Sequence, residues 1–191
     1  MTNLSELPSD LPVPHDDGAA DHLIGARVPH IDLRSTADRM VNLAAISNDR
    51  TAVVYCYPMT GVPGQPLPEG WNDIPGARGC TPQSCAFRDH FEQIKALGAQ
   101  VFGLSTQSSE YQGEMAARLE LPFEVLSDQE LNFTRALNLP TFEVDGKTLT
   151  KRLTMILSKA TIVHVVYPVF PPDKNAEEVI EWLTDNAKWR C

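Results

Sequence analysis

One continuous apolar run constrains the fold of this chain more than any other feature. Residues 51–57 read Thr-Ala-Val-Val-Tyr-Cys-Tyr, a segment rich in β-branched and aromatic side chains. A strand that is apolar on both faces is typical of the middle of a sheet covered by helices on each side. The run therefore predicts a buried central strand and, with it, an α/β architecture.

The elements after this strand alternate. Phe87, Phe91 and Ile94 recur at helical spacing and predict one helix that begins at the Thr81-Pro82 pair and ends near Gly98. Further segments follow with the patterns of alternating elements: a strand at 100–105, a helix that opens at Ser109, a strand at 123–126 and a short helix that opens at Ser127. A hairpin at 141–157, a strand at 160–167 and a helix at 175–187 complete the order. Such an order predicts a mixed central sheet flanked by helices, in a thioredoxin-like fold with extra N-terminal strands.

The length of 191 residues fits one domain. Residues 1–24 contain prolines among acidic side chains and are expected to form a loose N-terminal arm. Residues 25–191 are expected to form the domain. Within it, residues 58–79 carry five prolines and five glycines, which predicts a long loop insertion. Loops of this length inside a compact domain are uncommon and usually functional.

Charge and hydropathy exclude several classes of function. Sixteen basic and twenty-five acidic side chains give a net charge of −9, which argues against binding to nucleic acid or to an anionic membrane. No apolar run approaches the 18 residues of a membrane span. The first twenty residues contain no Lys or Arg, so they lack the cationic start of a secretory signal. A cytoplasmic location is the resulting expectation.

Two cysteines, Cys80 and Cys85, lie where a helix is predicted to begin. Free backbone N–H groups and the helix dipole stabilise a thiolate at such a position. In an intact helix, residues five apart have Cα atoms separated by about 8.6 Å, whereas a disulfide needs about 4.4–6.8 Å. The pair therefore suits a switch between dithiol and disulfide, in which oxidation unwinds the first helical turn.

The remaining cysteine and histidine residues give weaker indications of function. Cys56, inside the apolar strand, is interpreted as a core residue, and Cys191 as an incidental exposed thiol. His90 extends the cysteine series, but steps of five residues fan out around a helix, which disfavours a metal site. Two other functions stay open: a thioredoxin-like disulfide oxidoreductase, which usually has Cys-x-x-Cys, and a non-enzymatic copper-delivery redoxin domain, for which His164 is the late candidate ligand.

One segment carries a specific resemblance. Gly79-Cys80-Thr81-x-x-x-Cys85-x-Phe87-Arg88-Asp89 resembles the active-site helix of atypical two-cysteine peroxiredoxins, the Q or bacterioferritin-comigratory class of the redoxin superfamily. The flanking segments agree, and the likeness extends over about residues 25–187. They are Val28-Pro29-x-Ile31-x-Leu33, Val53-Val54-Tyr55-x-Tyr57-Pro58, Val101-Phe102-Gly103-Leu104-Ser105, Leu126-Ser127-Asp128 and Lys151-Arg152-Leu153-Thr154.

The resemblance implies a thiol-dependent peroxidase that reduces hydrogen peroxide and organic hydroperoxides. Cys80 would be the peroxidatic cysteine, Cys85 the resolving cysteine, and Arg152 the arginine beside the thiolate. A sulfenic acid at Cys80 would give way to a Cys80–Cys85 disulfide, which thioredoxin or a glutaredoxin-like dithiol would reduce. No metal, haem or flavin is implied, because the two sulfurs carry both electrons. The chain is expected to be a monomer or a homodimer.

The chain departs from the family at one point. The family pattern Pro-x-x-x-Thr-x-x-Cys places a proline seven residues before the cysteine, whereas Pro58 lies 22 residues before Cys80, so the loop is enlarged by 22 − 7 = 15 residues. Ala77 stands where the pattern has threonine. The substrate pocket is expected to include Pro58 and Gly79, together with the hydroxyl-bearing Thr60 and Thr81.

Overall fold

The computed structural model describes residues 7–186, and its largest element is a mixed sheet. The strands are β1 (Asp32–Ser35), β2 (Met40–Asn42), β3 (Thr51–Cys56), β4 (Ala99–Ser105), β5 (Val125–Ser127), β6 (Thr141–Val144), β7 (Lys147–Thr150), β8 (Leu153–Ser158) and β9 (Thr161–Val166). The helices are α1 (Leu43–Asp49), α2 (Cys80–Asp89), α3 (Phe91–Ala96), α4 (Ser109–Arg118), α5 (Asn132–Leu137) and α6 (Asn175–Asp185).

Seven strands form the sheet in the order β2-β1-β5-β4-β3-β8-β9, and β6 pairs with β7 as a separate hairpin. The three middle strands, β5, β4 and β3, run parallel, whereas β8 and β9 on one side and β1 and β2 on the other pair antiparallel. The prediction of a mixed, thioredoxin-like sheet flanked by helices is thereby confirmed.

The central strand β3 supplies two separate hydrophobic cores. Val53 and Tyr55 point into a core formed with α2, α3, α4 and α6, while Val54 and Cys56 point into a second core formed with α1 and α5. All four side chains are fully buried. Because side chains alternate along a strand, Cys56 lies on the opposite face of the sheet from the core that contains Cys80.

The predicted helix between Thr81 and Gly98 is two helices. The backbone leaves helical geometry at His90, which ends α2 and precedes α3. The periodicity does not reveal the break because the apolar residues of both helices, including Phe87 and Ile94, pack into one core across it. A further helix, α1, was not predicted; the side chain of Asn42 caps it by accepting a hydrogen bond from the Ala45 N–H at 3.1 Å.

The second half of the predicted hairpin is also interrupted. Its long strand, residues 148–157, is divided into β7 and β8 by Lys151 and Arg152. β7 pairs with β6 outside the main sheet, whereas β8 pairs with β3 inside it. The break places Arg152 at the edge where β3 ends and the long loop begins.

The arm that precedes the domain has little regular structure from Leu7 to the 3-10 turn at Asp21–Leu23. It nevertheless makes specific contacts. The Asp17 carboxylate accepts hydrogen bonds from Lys151 Nζ at 2.6 Å and from the Tyr167 hydroxyl at 2.7 Å, and these bonds hold the pKa of Asp17 well below its ordinary value. No helix within residues 7–186 combines the length and apolar character that crossing a bilayer requires.

A buried carboxylate fixes the beginning of α5. Asp128 is 3% exposed, and its two oxygens accept hydrogen bonds from the backbone N–H groups of Phe133 (3.0 Å) and Thr134 (2.7 Å). These N–H groups belong to the first turn of α5 and have no partner within the helix. Asp128 therefore ties the end of β5 to the helix that covers the second core.

Asp128→Ala should lower the free energy of unfolding by about 1–2 kcal/mol, because it leaves two buried N–H donors without acceptors. Urea denaturation monitored by circular dichroism measures the change. Asp10→Ala, at an exposed position, is the control and should stay within about 0.5 kcal/mol of the parent. Equal stability of the two variants would contradict this account of the α5 cap.

Candidate active site

Cys80 is the first residue of α2 and is 4% exposed. Gly79 precedes it as the N-cap, and the Gly79 carbonyl accepts the first helical hydrogen bond from the Gln83 N–H at 3.0 Å. The prediction of Thr81 as the cap was wrong: Thr81 lies inside the first turn, so the helix begins earlier and brings Cys80 itself to the N-terminus. Its sulfur thus lies where the helix dipole favours negative charge.

Gly79 is required at this cap for two physical reasons. Its φ is +108°, a conformation that residues with a side chain rarely adopt. A Cβ on Gly79 would lie 2.3 Å from Cγ of Pro172 and 3.0 Å from Cδ2 of Leu7. The segment before α6 and the N-terminal arm therefore pack directly against the backbone that presents Cys80.

Arg152 reaches the sulfur of Cys80 from the break between β7 and β8. Its Nη2 donates to Cys80 Sγ at 3.2 Å, and also to the carbonyls of Ala77 at 3.0 Å and Arg78 at 3.2 Å. Its Nε donates to the Gly76 carbonyl at 3.2 Å. One buried guanidinium thus holds the end of the loop and faces the sulfur at the same time.

A chain of buried amides and a hydroxyl orients this guanidinium. Arg152 Nη1 donates to Oε1 of Gln83, and Gln83 Nε2 donates to Oδ1 of Asn175 at 3.0 Å. The same Asn175 oxygen accepts a hydrogen bond from Oγ1 of Thr154 at 2.6 Å. These contacts join α2, the start of α6 and β8, so the position of the guanidinium is set by three elements.

A second guanidinium lies close to Cys80. Arg78 is 6% exposed, and burial lowers the pKa of its guanidinium, an effect that the negative charge of a Cys80 thiolate opposes. Sequence reasoning did not single out Arg78. The available signal was a basic residue two positions before the cysteine, which by itself is too common to indicate a site.

A small cavity of about 10 Å³ opens beside Cys80. Of the four residues predicted for a substrate pocket, Thr60, Gly79 and Thr81 line it. Pro58 follows β3, and its carbonyl accepts a hydrogen bond from Ser105 Oγ at 3.1 Å; it is not among the residues that line the cavity. The long loop therefore brings a threonine to the site from 20 positions before the cysteine.

Gln107 holds Thr60 at this position. Its Oε1 accepts hydrogen bonds from the Thr60 N–H at 2.8 Å and from the Thr60 hydroxyl at 3.2 Å, and its Nε2 donates to the Thr60 carbonyl at 3.2 Å. Three hydrogen bonds fix a residue that lies in irregular backbone. Gln107 was not predicted, because nothing in the sequence connects the loop after β4 with the loop after β3.

The long loop is anchored to the protein through Trp71, whereas its residues 63–66 are exposed. Trp71 is 3% exposed and forms a small third core with Ala77 and with Leu149 of β7. The ring centroids of Trp71 and of Phe142 on β6 are 6.3 Å apart, and Ile74 packs at the edge of the same core. The loop is therefore not a solvated insertion, and the β6–β7 hairpin supports it.

Cys85 lies in the second turn of α2 and is half-buried against the core that contains Cys80. Burial raises the pKa of its thiol, and the guanidinium of Arg88 opposes that effect. Cys80 and Cys85 are both free thiols, and α2 is intact between them. Cys56 is fully buried on the other face of the sheet, as predicted for a core residue, and Cys191 lies outside the described residues.

The candidate metal ligands do not converge. Within residues 7–186, no group of three or more His, Cys, Asp or Glu side chains is placed to hold a metal ion. His90 terminates α2, and His164 on β9 stacks on the ring of Trp182 with centroids 4.8 Å apart. The chemistry that the described arrangement supports is that of a cysteine sulfur faced by guanidinium groups.

Comparisons with known proteins identify relatives of this chain. The sequence model of the Redoxin family matches residues 23–180. The chloroplastic peroxiredoxin Q of Sedum lineare is 34% identical over 160 residues, which are 83% of this chain and 76% of that protein. The chloroplastic peroxiredoxin Q of Gentiana triflora is 30% identical over 186 residues, 94% of this chain and 77% of that protein.

Solved structures share the fold. Peroxidoxin BcpB from Mycobacterium tuberculosis superposes with a TM-score of 0.69 at 21% identity, over 85% of this chain and 96% of its own. A bacterioferritin comigratory protein from Xanthomonas campestris, whose structures are described for its alkyl peroxide reduction activity, gives a TM-score of 0.65 at 20% identity, over 93% of this chain and 99% of its own.

Arg152→Lys should slow the oxidation of Cys80 by hydrogen peroxide by about 100-fold, because an ammonium cannot reproduce the planar set of donors that faces the sulfur and the loop carbonyls. The rate of thiol loss in rapid-quench experiments without reductant measures this step. Arg135→Lys, on α5 at the other face of the sheet, is the matched control and should leave the rate unchanged. Equal rates in both variants would show that the Arg152 contact does not assist the reaction.

Proposed function

This chain belongs to the Redoxin family and is a thiol-dependent peroxidase related to peroxiredoxin Q, and from that premise we propose that Cys80 is its peroxidatic cysteine. The observation that carries the proposal is the contact of 3.2 Å between Arg152 Nη2 and Cys80 Sγ at the N-terminus of α2. A guanidinium and free helical N–H groups together stabilise a thiolate and the negative charge that develops on a departing oxygen.

In the first step the Cys80 thiolate attacks the terminal oxygen of a hydroperoxide. The S–O bond forms as the O–O bond breaks, and the departing oxygen takes up a proton to leave as water or an alcohol. Sulfur loses two electrons and becomes a sulfenic acid, while the peroxide is reduced. Thr60, which lines the cavity beside Cys80, is proposed to supply the hydroxyl that orients the peroxide, in place of the family threonine.

In the second step Cys85 is proposed to resolve the sulfenic acid. Its thiolate attacks the sulfur of Cys80, a disulfide forms, and hydroxide leaves as water after protonation. The two cysteines are five residues apart in an intact helix, so the Cα atoms must approach by about 2 Å or more before the sulfurs can bond. The first turn of α2 therefore unwinds during this step.

A dithiol partner completes the proposed cycle. Its thiolate attacks the Cys80–Cys85 disulfide, and a second thiol of the partner resolves the mixed disulfide, so that two electrons pass to this chain. Thioredoxin or a glutaredoxin-like protein has this chemistry and is the proposed reductant. Hydrogen peroxide and organic hydroperoxides are the proposed substrates; alkyl peroxide reduction by the Xanthomonas campestris protein of the same fold supports the second class.

Two cysteine variants separate these steps. Cys80→Ser should abolish peroxide consumption, because a hydroxyl is a far weaker nucleophile at neutral pH. Cys85→Ser should still consume about one peroxide per chain, because attack needs only the Cys80 thiolate, but thioredoxin-linked turnover should be lost. Peroxide assays with and without thioredoxin test both. Turnover that survives Cys80→Ser, or full turnover that survives Cys85→Ser, would contradict the assignments.

Oxidation should also be visible as local unfolding. In the oxidised chain, amide hydrogen exchange should rise over residues 80–85, whereas the amides of β3 and β4 should stay protected, because opening one helix end is far less costly than global unfolding. Mass-spectrometric exchange on reduced and oxidised protein makes the comparison, with Cys85→Ser treated with one equivalent of peroxide as the control that lacks a disulfide. An oxidised wild-type chain with a fully protected first turn would contradict the mechanism.

A further inference from the structure

We propose that the enlarged loop makes this enzyme selective for small hydroperoxides, with Trp71 as the residue that sets the size limit. The proposal rests on the assignment of Cys80 as the reacting cysteine. Its basis is the cavity beside that sulfur. Two groups of residues line it. One group surrounds the start of α2: Arg78, Gly79, Cys80 and Thr81. The other comes from earlier in the loop and is called the roof below: Met59, Thr60, Gly61, Leu67 and Trp71.

Every residue of the roof belongs to the enlarged loop, residues 58–79. The cavity measures about 10 Å³, and Cys80 itself is only 4% exposed. This volume is close to the minimum that holds one water molecule. A peroxide that reaches the sulfur therefore has little free space beyond its two oxygen atoms, and a bulky organic substituent is expected to press against the roof.

The direction of attack places the substituent against that roof. When sulfur displaces an oxygen, the attacking atom, the oxygen attacked and the departing oxygen lie approximately in line. The substituent on the departing oxygen consequently points away from Cys80, across the cavity. Hydrogen peroxide carries only a hydrogen there, whereas a tertiary hydroperoxide carries a branched carbon next to the oxygen.

The roof is held in place. Trp71 is 3% exposed, and it packs against Leu149 and against the ring of Phe142, both on the β6–β7 hairpin. At the other end of the roof, three hydrogen bonds between Thr60 and Gln107 fix Thr60. A bulky substituent that moves the roof must break these contacts. The limit on substituent size is therefore a property of the folded loop.

The roof residues could also favour an organic substituent instead of excluding it. The two effects are distinguished by whether truncation of Trp71 lowers or raises the rate with an organic hydroperoxide. Met59, Leu67 and Trp71 present apolar surface, which would attract an organic substituent if the cavity had room for it. Truncating Trp71 would then slow the reaction with an organic hydroperoxide. Under the steric proposal the same truncation speeds it, and the cavity volume of about 10 Å³ favours the steric effect.

The test compares hydrogen peroxide with cumene hydroperoxide in the first turnover, without any reductant. The second-order rate constant for loss of the Cys80 thiol is measured by rapid quench and mass spectrometry for the wild type, Trp71→Ala, Trp71→Phe and Leu67→Ala. Trp182→Ala, which removes a tryptophan that is stacked on His164 and does not line the cavity, is the matched control. Trp71→Phe and Leu67→Ala cover the case in which Trp71→Ala fails to fold.

The wild type should react faster with hydrogen peroxide than with cumene hydroperoxide. Trp71→Ala should raise the cumene hydroperoxide constant by about tenfold or more, and the hydrogen peroxide constant by less than about threefold. Leu67→Ala and Trp71→Phe should raise the cumene hydroperoxide constant by a smaller factor. Trp182→Ala should not change the ratio of the two rate constants.

Equal wild-type constants for the two peroxides, a selective loss of the cumene hydroperoxide reaction in Trp71→Ala, or an equal gain for both peroxides would each overturn the size limit. Failure of the proposed function looks different: the wild-type Cys80 would then not react with hydrogen peroxide at all.

Discussion

The guanidinium of Arg152 is the interaction on which the rest of the site depends. Burying a cation costs several kcal/mol unless its donors are satisfied, and here each of its three nitrogens has an acceptor. The acceptors lie in three places: the loop carbonyls at residues 76–78, the side chain of Gln83 and the sulfur of Cys80. Loop, helix and reacting sulfur are thus held in one geometry by a single residue.

This arrangement also connects the chemistry to the opening of α2. Gln83, which binds both Arg152 and Asn175, lies inside the turn that must unwind before Cys85 reaches Cys80. In the proposed cycle, conversion of the thiolate to a neutral sulfenic acid removes the charge that Arg152 faces. Formation of the sulfenic acid therefore weakens the contact that favours an intact α2, just before the first turn of α2 must unwind. The two steps are ordered in this way without a separate switch.

The long loop illustrates how far sequence reasoning extends. Its proline and glycine content correctly predicts irregular backbone, and the count against the family pattern predicts about fifteen additional residues. The pattern cannot show that Thr60 returns to the cysteine or that Trp71 covers it, since those positions depend on Gln107 and on the separate β6–β7 hairpin. Contacts between loops from distant parts of the chain leave no periodicity to detect.

The sequence by itself determined the family, the α/β architecture and the cysteine pair, because alternating apolar segments and a motif at a helix start are local in the chain. It also indicated Arg152, but only through the resemblance. The tertiary structure decided the exact start of α2 at Cys80 after the Gly79 cap, the break that frees Arg152 from the strand, and the neighbours Arg78 and Gln83. These features depend on packing at the end of the central strands. There the close contact with Pro172 and the hydrogen-bond acceptors around the Arg152 guanidinium set the geometry of the site.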